Sequence, residues 1–221
     1  MPATFLKFEL LELTPDQSEA YFTKLSNVVW NKSGIDSQRY ARDFMSKIGT
    51  QTRDLIGNPL MMALMVWVYH ERRGELPATQ ARLYKACADM MFEQWDSQRD
   101  IKPELPEGFD VSALLCELAE EIYSTPGLAA GVSRLWLLRK IEEHLKNNYL
   151  NDRDARARKD AKLVIEFITD RAWIMTEQGL DSYAFTHRTF MEYFFARALN
   201  ERTETIEDVF VQIGQKVRSG S

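Results

Sequence analysis

Helix-breaking residues are scarce in this 221-residue sequence: it holds 10 glycines and 7 prolines. A β-sandwich needs a turn signal roughly every 8–12 residues, so a loop-rich all-β fold is excluded and helices must carry most of the chain. Cysteine is scarcer still. Cys87 and Cys116 cannot make an oxidised framework and read as reduced core residues, small buried hydrophobes. A membrane-length apolar run is missing too. The longest, Leu60 to Tyr69, is about half of the roughly 20 residues that cross a bilayer and reads as a buried helix. The first residues lack a basic start, an apolar stretch and a small-residue cleavage site, so a cytoplasmic chain with no membrane partner is expected.

Catalytic signatures are absent as well. The sequence contains no phosphate loop of the form G-x-x-x-x-G-K-[ST], no G-x-G-x-x-G, no H-E-x-x-H and no C-x-x-C. His70, His144 and His187 are far apart, without cysteine or carboxylate neighbours at metal-ligand spacing. A self-contained enzyme and a metal site are therefore not expected. A net charge of −5 weighs against a non-specific nucleic-acid binder, which carries a basic footprint. The segment Asn151–Lys162, with five basic and three acidic residues and no aromatics, reads as a solvated loop and helix start.

What is present is helical periodicity with clear stops. Thr14-Pro15-Asp16-Gln17 combines an N-cap, a proline at the first helical position and a capping-box glutamine, predicting a helix to about Trp30. Asn31–Gly34 breaks it, and Asp36 is expected to cap a second helix through about Ile48. Gly57-Asn58-Pro59 stops the chain again, and the helix from Pro59 should end near Arg73-Gly74. Thr79 should cap the next helix, whose Tyr84, Ala88, Met91 and Trp95 form one stripe, read as core. Lys102–Gly108, with two prolines, is the best internal boundary. Helices are expected beyond it over Val111–Tyr123, Ser133–Tyr149 and about Ala155–Arg171. A strand pair follows, Trp173–Thr176 and Tyr183–Thr186, turned at Gly179. An apolar helix from His187 to Leu199 closes the pattern. The fold class expected is mostly α: a helical bundle followed by a winged helix with a short β-hairpin.

Two positions carry a choice between ordinary and functional roles. Pro59 is either a plain helix starter or a ring presented to a flat aromatic ligand. His187 lies where a strand meets a helix: it is either a capping or core histidine, or a donor to an anion at the helix N-terminus.

Two segments, read together, resemble a known family. The stretch from Asn58 to Asp96 has Asn58-Pro59 entering an apolar helix, then Gly74-Glu75-Leu76-Pro77, Arg82 and Leu83-Tyr84. It resembles the helical segment that follows the nucleotide-binding core in NACHT-family NTPases, signal-transduction ATPases of the STAND class. The stretch from Tyr183 to Leu199 is similar to the family's pattern F-x-H-x-[ST]-F-x-E-[YF]-F-A. It is supplied in order by Phe185, His187, Thr189, Phe190, Glu192, Tyr193, Phe194 and Ala196. LELTPDQSEAYFTKL also fits the stretch after the family's last core strand.

The resemblance implies that Pro59 touches the base of bound ATP or ADP, and that His187 contacts the ADP β-phosphate in the closed state. It implies residues 1–101 as the end of the NTPase core plus a helical domain, and 109–200 as the winged-helix domain. Residues 201–221 would begin a following helical segment or form an appended tail. The core with its phosphate loop, and the magnesium it binds, would lie upstream of position 1. Its partners would be that core and, on activation, further copies of the same protein, in signalling or defence. Two alternatives stand beside this reading. One is a winged-helix DNA binder using the helix around Arg134, Arg139, Lys140 and Lys146, opposed by Glu142 and Glu143 in the same helix. The other is a helical adaptor that scaffolds partner proteins.

Overall fold

Helix α1 (Pro15–Trp30) begins with the reciprocal bonds of a capping box: Thr14 N–H donates to Gln17 Oε1 at 2.9 Å, and Gln17 N–H to Thr14 Oγ1 at 3.3 Å. The computed structural model describes residues 11–30, 34–97, 105–150, 154–203, 205, 207, 208, 210 and 211. Over these the chain is mostly helical with one small antiparallel sheet. It divides into two units, Met1–Met90 and Met91–Ser221. The division falls inside helix α4 (Gln80–Ser97); the segment expected as the boundary follows that helix, and its residues 102–104 lie outside those described.

In the first unit α1 packs on α2 (Gly34–Lys47). That helix starts at Gly34, earlier than expected, so Asp36 sits in its first turn, where its charge favours the helix dipole, rather than at the cap. Residues 31–33 of the predicted break lie outside the description. A 3₁₀ stretch, Thr50–Gly57, then leads into α3 (Pro59–Glu71), an element periodicity did not announce. α3 is buried at Met61, Met62, Met65, Val66, Val68 and Tyr69, which form one continuous face, while Leu60, Ala63, Leu64, Trp67 and His70 on the other side are half-buried. Its neighbours are aromatic: Phe22 lies 4.8 Å from Phe44 and 5.3 Å from Tyr40, and Phe44 5.3 Å edge-on from Tyr69.

α3 ends as a glycine C-cap predicts. Gly74 takes φ +92° and its N–H returns to Tyr69 O at 2.8 Å. A polar clamp holds this end to α2. The Tyr69 hydroxyl donates to Asp43, while Lys47 Nζ sits 3.2 Å from Asp43 and donates to the Gly74 carbonyl at 2.6 Å. The Tyr69 bond and then Lys47 hold the Asp43 carboxyl below its usual range. Burial and that same carboxylate push the Tyr69 phenol far above its usual range.

In the second unit α5 (Val111–Ser124) is capped by Asp110, whose Oδ1 accepts from Ala113 N–H at 3.1 Å. β1 (Val132–Ser133), α6 (Arg134–Leu145), α7 (Asp154–Glu166), β2 (Met175–Glu177), β3 (Ser182–Phe185) and α8 (Arg188–Arg202) follow. Residues 151–153 at the α7 approach lie outside the description. The sheet order is β1-β3-β2, both pairings antiparallel. This helix-strand-helix-helix-strand-strand succession is a winged-helix arrangement, with α8 packed against α5. β1 adds a third strand to the expected pair, Val132 opposite Tyr183 and Ser133 opposite Ser182. α6 and α7 each end in a π-helical turn, Lys146–Leu150 and Phe167–Arg171, wider than an α-helix allows.

Gly131 makes the first pairing possible. It holds φ +133°, and a Cβ there would fall inside the Ser182 hydroxyl, so only glycine fits. The core of this unit is Leu114, Leu115, Leu118, Leu137, Ile141, Phe190 and Phe194. Cys87 in the first unit and Cys116 in the second are free and buried, and burial pushes both thiols up to about 12. The stripe on α4 is core where it is described: Tyr84, Ala88 and Met91 are buried, and the Trp95 side chain lies outside the described residues.

Candidate functional site

The two residues singled out from the sequence belong to different units, and each is described in its own. In the first, the junction before α3 is fastened at both sides. Leu13 N–H donates to Gly57 O at 2.8 Å, and the buried Ser18 hydroxyl to Ile56 O at 2.9 Å. Asn58, in extended conformation (φ −90°, ψ 121°), caps α3 by accepting from Met61 N–H on Oδ1 at 3.0 Å. Pro59 then occupies the first helical position and is exposed, where its missing donor costs nothing. The ring is thus held on a rigid helix start with its surface in solvent. The remaining letters of this segment serve structure: Thr79 Oγ1 accepts from Arg82 N–H at 3.4 Å, and Leu83 and Tyr84 are buried.

In the second unit, the strand β3 delivers the chain to α8. Thr186 N–H donates to Ile174 O at 2.9 Å and its hydroxyl to Trp173 O, so the strand end is tied on both sides just before His187. His187 is the N-cap of α8, with φ −138° and ψ 132°. Its Nδ1 lies 2.7 Å from Thr189 Oγ1 and 3.4 Å from Thr189 N. With Nδ1 accepting from Thr189, the ring proton belongs on Nε2. Desolvation by partial burial holds the imidazole below its ordinary pKa, Glu192 pulling the other way. The ring is therefore a neutral Nε2–H donor at the start of a 15-residue helix, whose free amides favour anions.

The other motif positions explain themselves through packing. Phe185, Phe190 and Phe194 are buried, and Glu192 pairs with Arg188 at 2.8 Å. Of the basic side chains on α6, Lys140 lies 2.7 Å from Glu121 and 3.6 Å from Glu143, and Arg134 donates to the Tyr183 hydroxyl at 3.3 Å. These are committed to the protein's own groups rather than presented as a phosphate-binding row. Among the described residues no cluster of three or more His, Cys, Asp or Glu side chains can hold a metal ion, and no helix is long and apolar enough to cross a membrane.

Sequence reasoning missed one constellation. His144, 3% exposed, places Nδ1 2.8 Å from Glu117 Oε2, and both residues line a cavity of about 400 Å³. The residues are 27 positions apart, and no local motif signals a pair formed between two helices. Comparisons of the chain with family models, with curated proteins and with solved structures return no match.

Proposed function

We propose that the chain is the regulatory helical and winged-helix portion of a cytoplasmic NACHT-type signal-transduction ATPase, closing over bound ADP and relaying nucleotide state to self-assembly. The observation that carries the reading is His187: a neutral imidazole that caps the N-terminus of α8 directly after a tied strand end. That arrangement suits a phosphate oxygen. Pro59, exposed on the first turn of α3, supplies a flat apolar surface suited to a purine face. The residues present thus fit contacts to a nucleotide's phosphate and base. They include no phosphate loop, so hydrolysis belongs to a core that these 221 residues do not contain.

In this reading His187 is a latch. It donates to the terminal phosphate of ADP only while the winged helix is folded back, so ADP favours the closed state by whatever that contact contributes. Exchange for ATP, with its γ-phosphate and magnesium held by the core, removes the preference and frees the module for assembly with other copies.

The test uses the full protein in which this segment follows a phosphate-loop core. His187→Ala is expected to lower retained ADP by about tenfold, the size of one charge-assisted hydrogen bond, and to raise basal self-assembly. Unchanged ADP occupancy in the purified variant overturns the latch. An in-frame reading of the DNA upstream of codon 1 that lacks a phosphate-loop motif overturns the family reading itself.

A further inference from the structure

Basic side chains in the second unit gather on one helix face. In α7 the exposed positions between 155 and 162 are Ala155, Arg156, Arg158, Lys159 and Lys162. Asp160 is turned inward at 8% exposure, so no carboxylate shares that face before Glu166, about one turn further on. At about 1.5 Å per residue the four cations extend over about 9 Å of helix. Among the described residues no ion pair holds Lys159 or Lys162. Arg156 reaches Asp160 at 3.4 Å and Arg158 reaches Glu142 at 3.7 Å, with the arginine side chains 58% and 75% exposed. Such surface contacts hold little and leave both guanidiniums within reach of a partner. α6 is the opposite case, its Lys140 held between Glu121 and Glu143.

Position adds to charge. α6 and α7 pack together as consecutive helices ahead of the β2–β3 hairpin. In helix-turn-helix geometry the second helix of such a pair lies in the major groove of DNA, its first turns toward the bases. The order of elements gives that place to α7, not to α6. The face is convex, and its one exposed apolar side chain is Ala155; a helix lying on a membrane needs a wide apolar stripe to insert. A B-form major groove, about 12 Å wide, admits an α-helix, whereas the A-form groove of RNA is deep and narrow. The net charge of −5 does not forbid contact, because at physiological salt carboxylates beyond about 8 Å are largely screened. We infer that the first two turns of α7 are a binding face for double-stranded DNA, with Arg156, Arg158, Lys159 and Lys162 set against backbone phosphates. The inference uses neither His187 nor Pro59 and stands apart from the nucleotide reading.

The experiment is fluorescence anisotropy of a labelled DNA duplex of about 20 base pairs, titrated with the 221-residue chain at about 50 to 200 mM KCl. Saturable binding is expected. The logarithm of the binding constant should fall against the logarithm of salt with a slope of about −3.6, the value for four neutralised phosphates. Affinity then drops on the order of a hundredfold over that range. The double variant Lys159→Gln, Lys162→Gln, its folding confirmed by circular dichroism, should bring the slope to about −1.8. Lys85→Gln, on α4 in the first unit, should leave it unchanged. Phosphatidylserine vesicles and an RNA duplex of the same length are the competing surfaces and should bind less tightly. The proposal is overturned if DNA fails to saturate at the lowest salt, if the double variant keeps the wild-type slope, if Lys85→Gln lowers it as much, or if vesicles or RNA bind more tightly than DNA.

Discussion

Two helix starts, those of α3 and α8, use the same backbone device and teach different things about their residues. At α3 the cap is asparagine, one of the best residues for the position, and proline follows where helices favour it. Local structure accounts for both. At α8 the cap is histidine, a residue not favoured there, and its bond to Thr189 N–H is long at 3.4 Å. Helix capping alone does not call for an imidazole at position 187. The comparison separates a residue that local structure explains from one that helix capping alone leaves unexplained.

The largest test concerns what anchors each helix behind its cap. Phe190→Ala, removing a fully buried ring from the first turns of α8, should cost about 3–5 kcal/mol in urea unfolding, and Met65→Ala on α3 about 2–5 kcal/mol. A loss below about 1 kcal/mol for Phe190→Ala would show that α8 is not held by its core face. Next, Asn58→Ala should cost about 1 kcal/mol, the ordinary worth of a cap. His187→Asn sharpens the contrast. It should leave stability within about 0.5 kcal/mol or raise it, while still reducing ADP retention in the full protein. A loss of 1 kcal/mol or more would return His187 to a purely structural role.

The smallest expected effect is in pH. A histidine with a lowered folded pKa is protonated first in the unfolded chain. Its contribution is therefore complete above about pH 6.5 and is lost as pH falls through the folded value. Wild type should therefore lose stability relative to His187→Asn on going from pH 7.5 to pH 5. Bound ADP would oppose the shift, since phosphate favours the imidazolium, so nucleotide binding near pH 6 should take up protons.

Legibility followed the range of each interaction. The capping box at Thr14, the proline start at Pro59, the cap at Thr79 and the glycine stop at Gly74 depend on neighbours a few residues away, and all could be read in the sequence. β1 was not legible: two residues have no period, and the strand exists because Gly131 lets the chain approach Ser182. The π turns after α6 and α7 carry no composition signal. The polar clamp at Tyr69 and the Glu117–His144 pair join positions 26 and 27 residues apart, so only the packed structure brings them together. Pro59 and His187 were singled out through motif order; the neutral state of the His187 imidazole and its tautomer needed Thr189 and burial in view.

The buried thiols have a practical consequence. Cys87 and Cys116 belong to different units, are 0% and 4% exposed, and carry pKa values raised to about 12. Neither offers thiolate to an alkylating reagent at neutral pH until its surroundings open. Each unit therefore contains its own clock: the rate at which Cys87 or Cys116 is labelled, read by mass spectrometry, times the opening of one half of the chain without a single added probe.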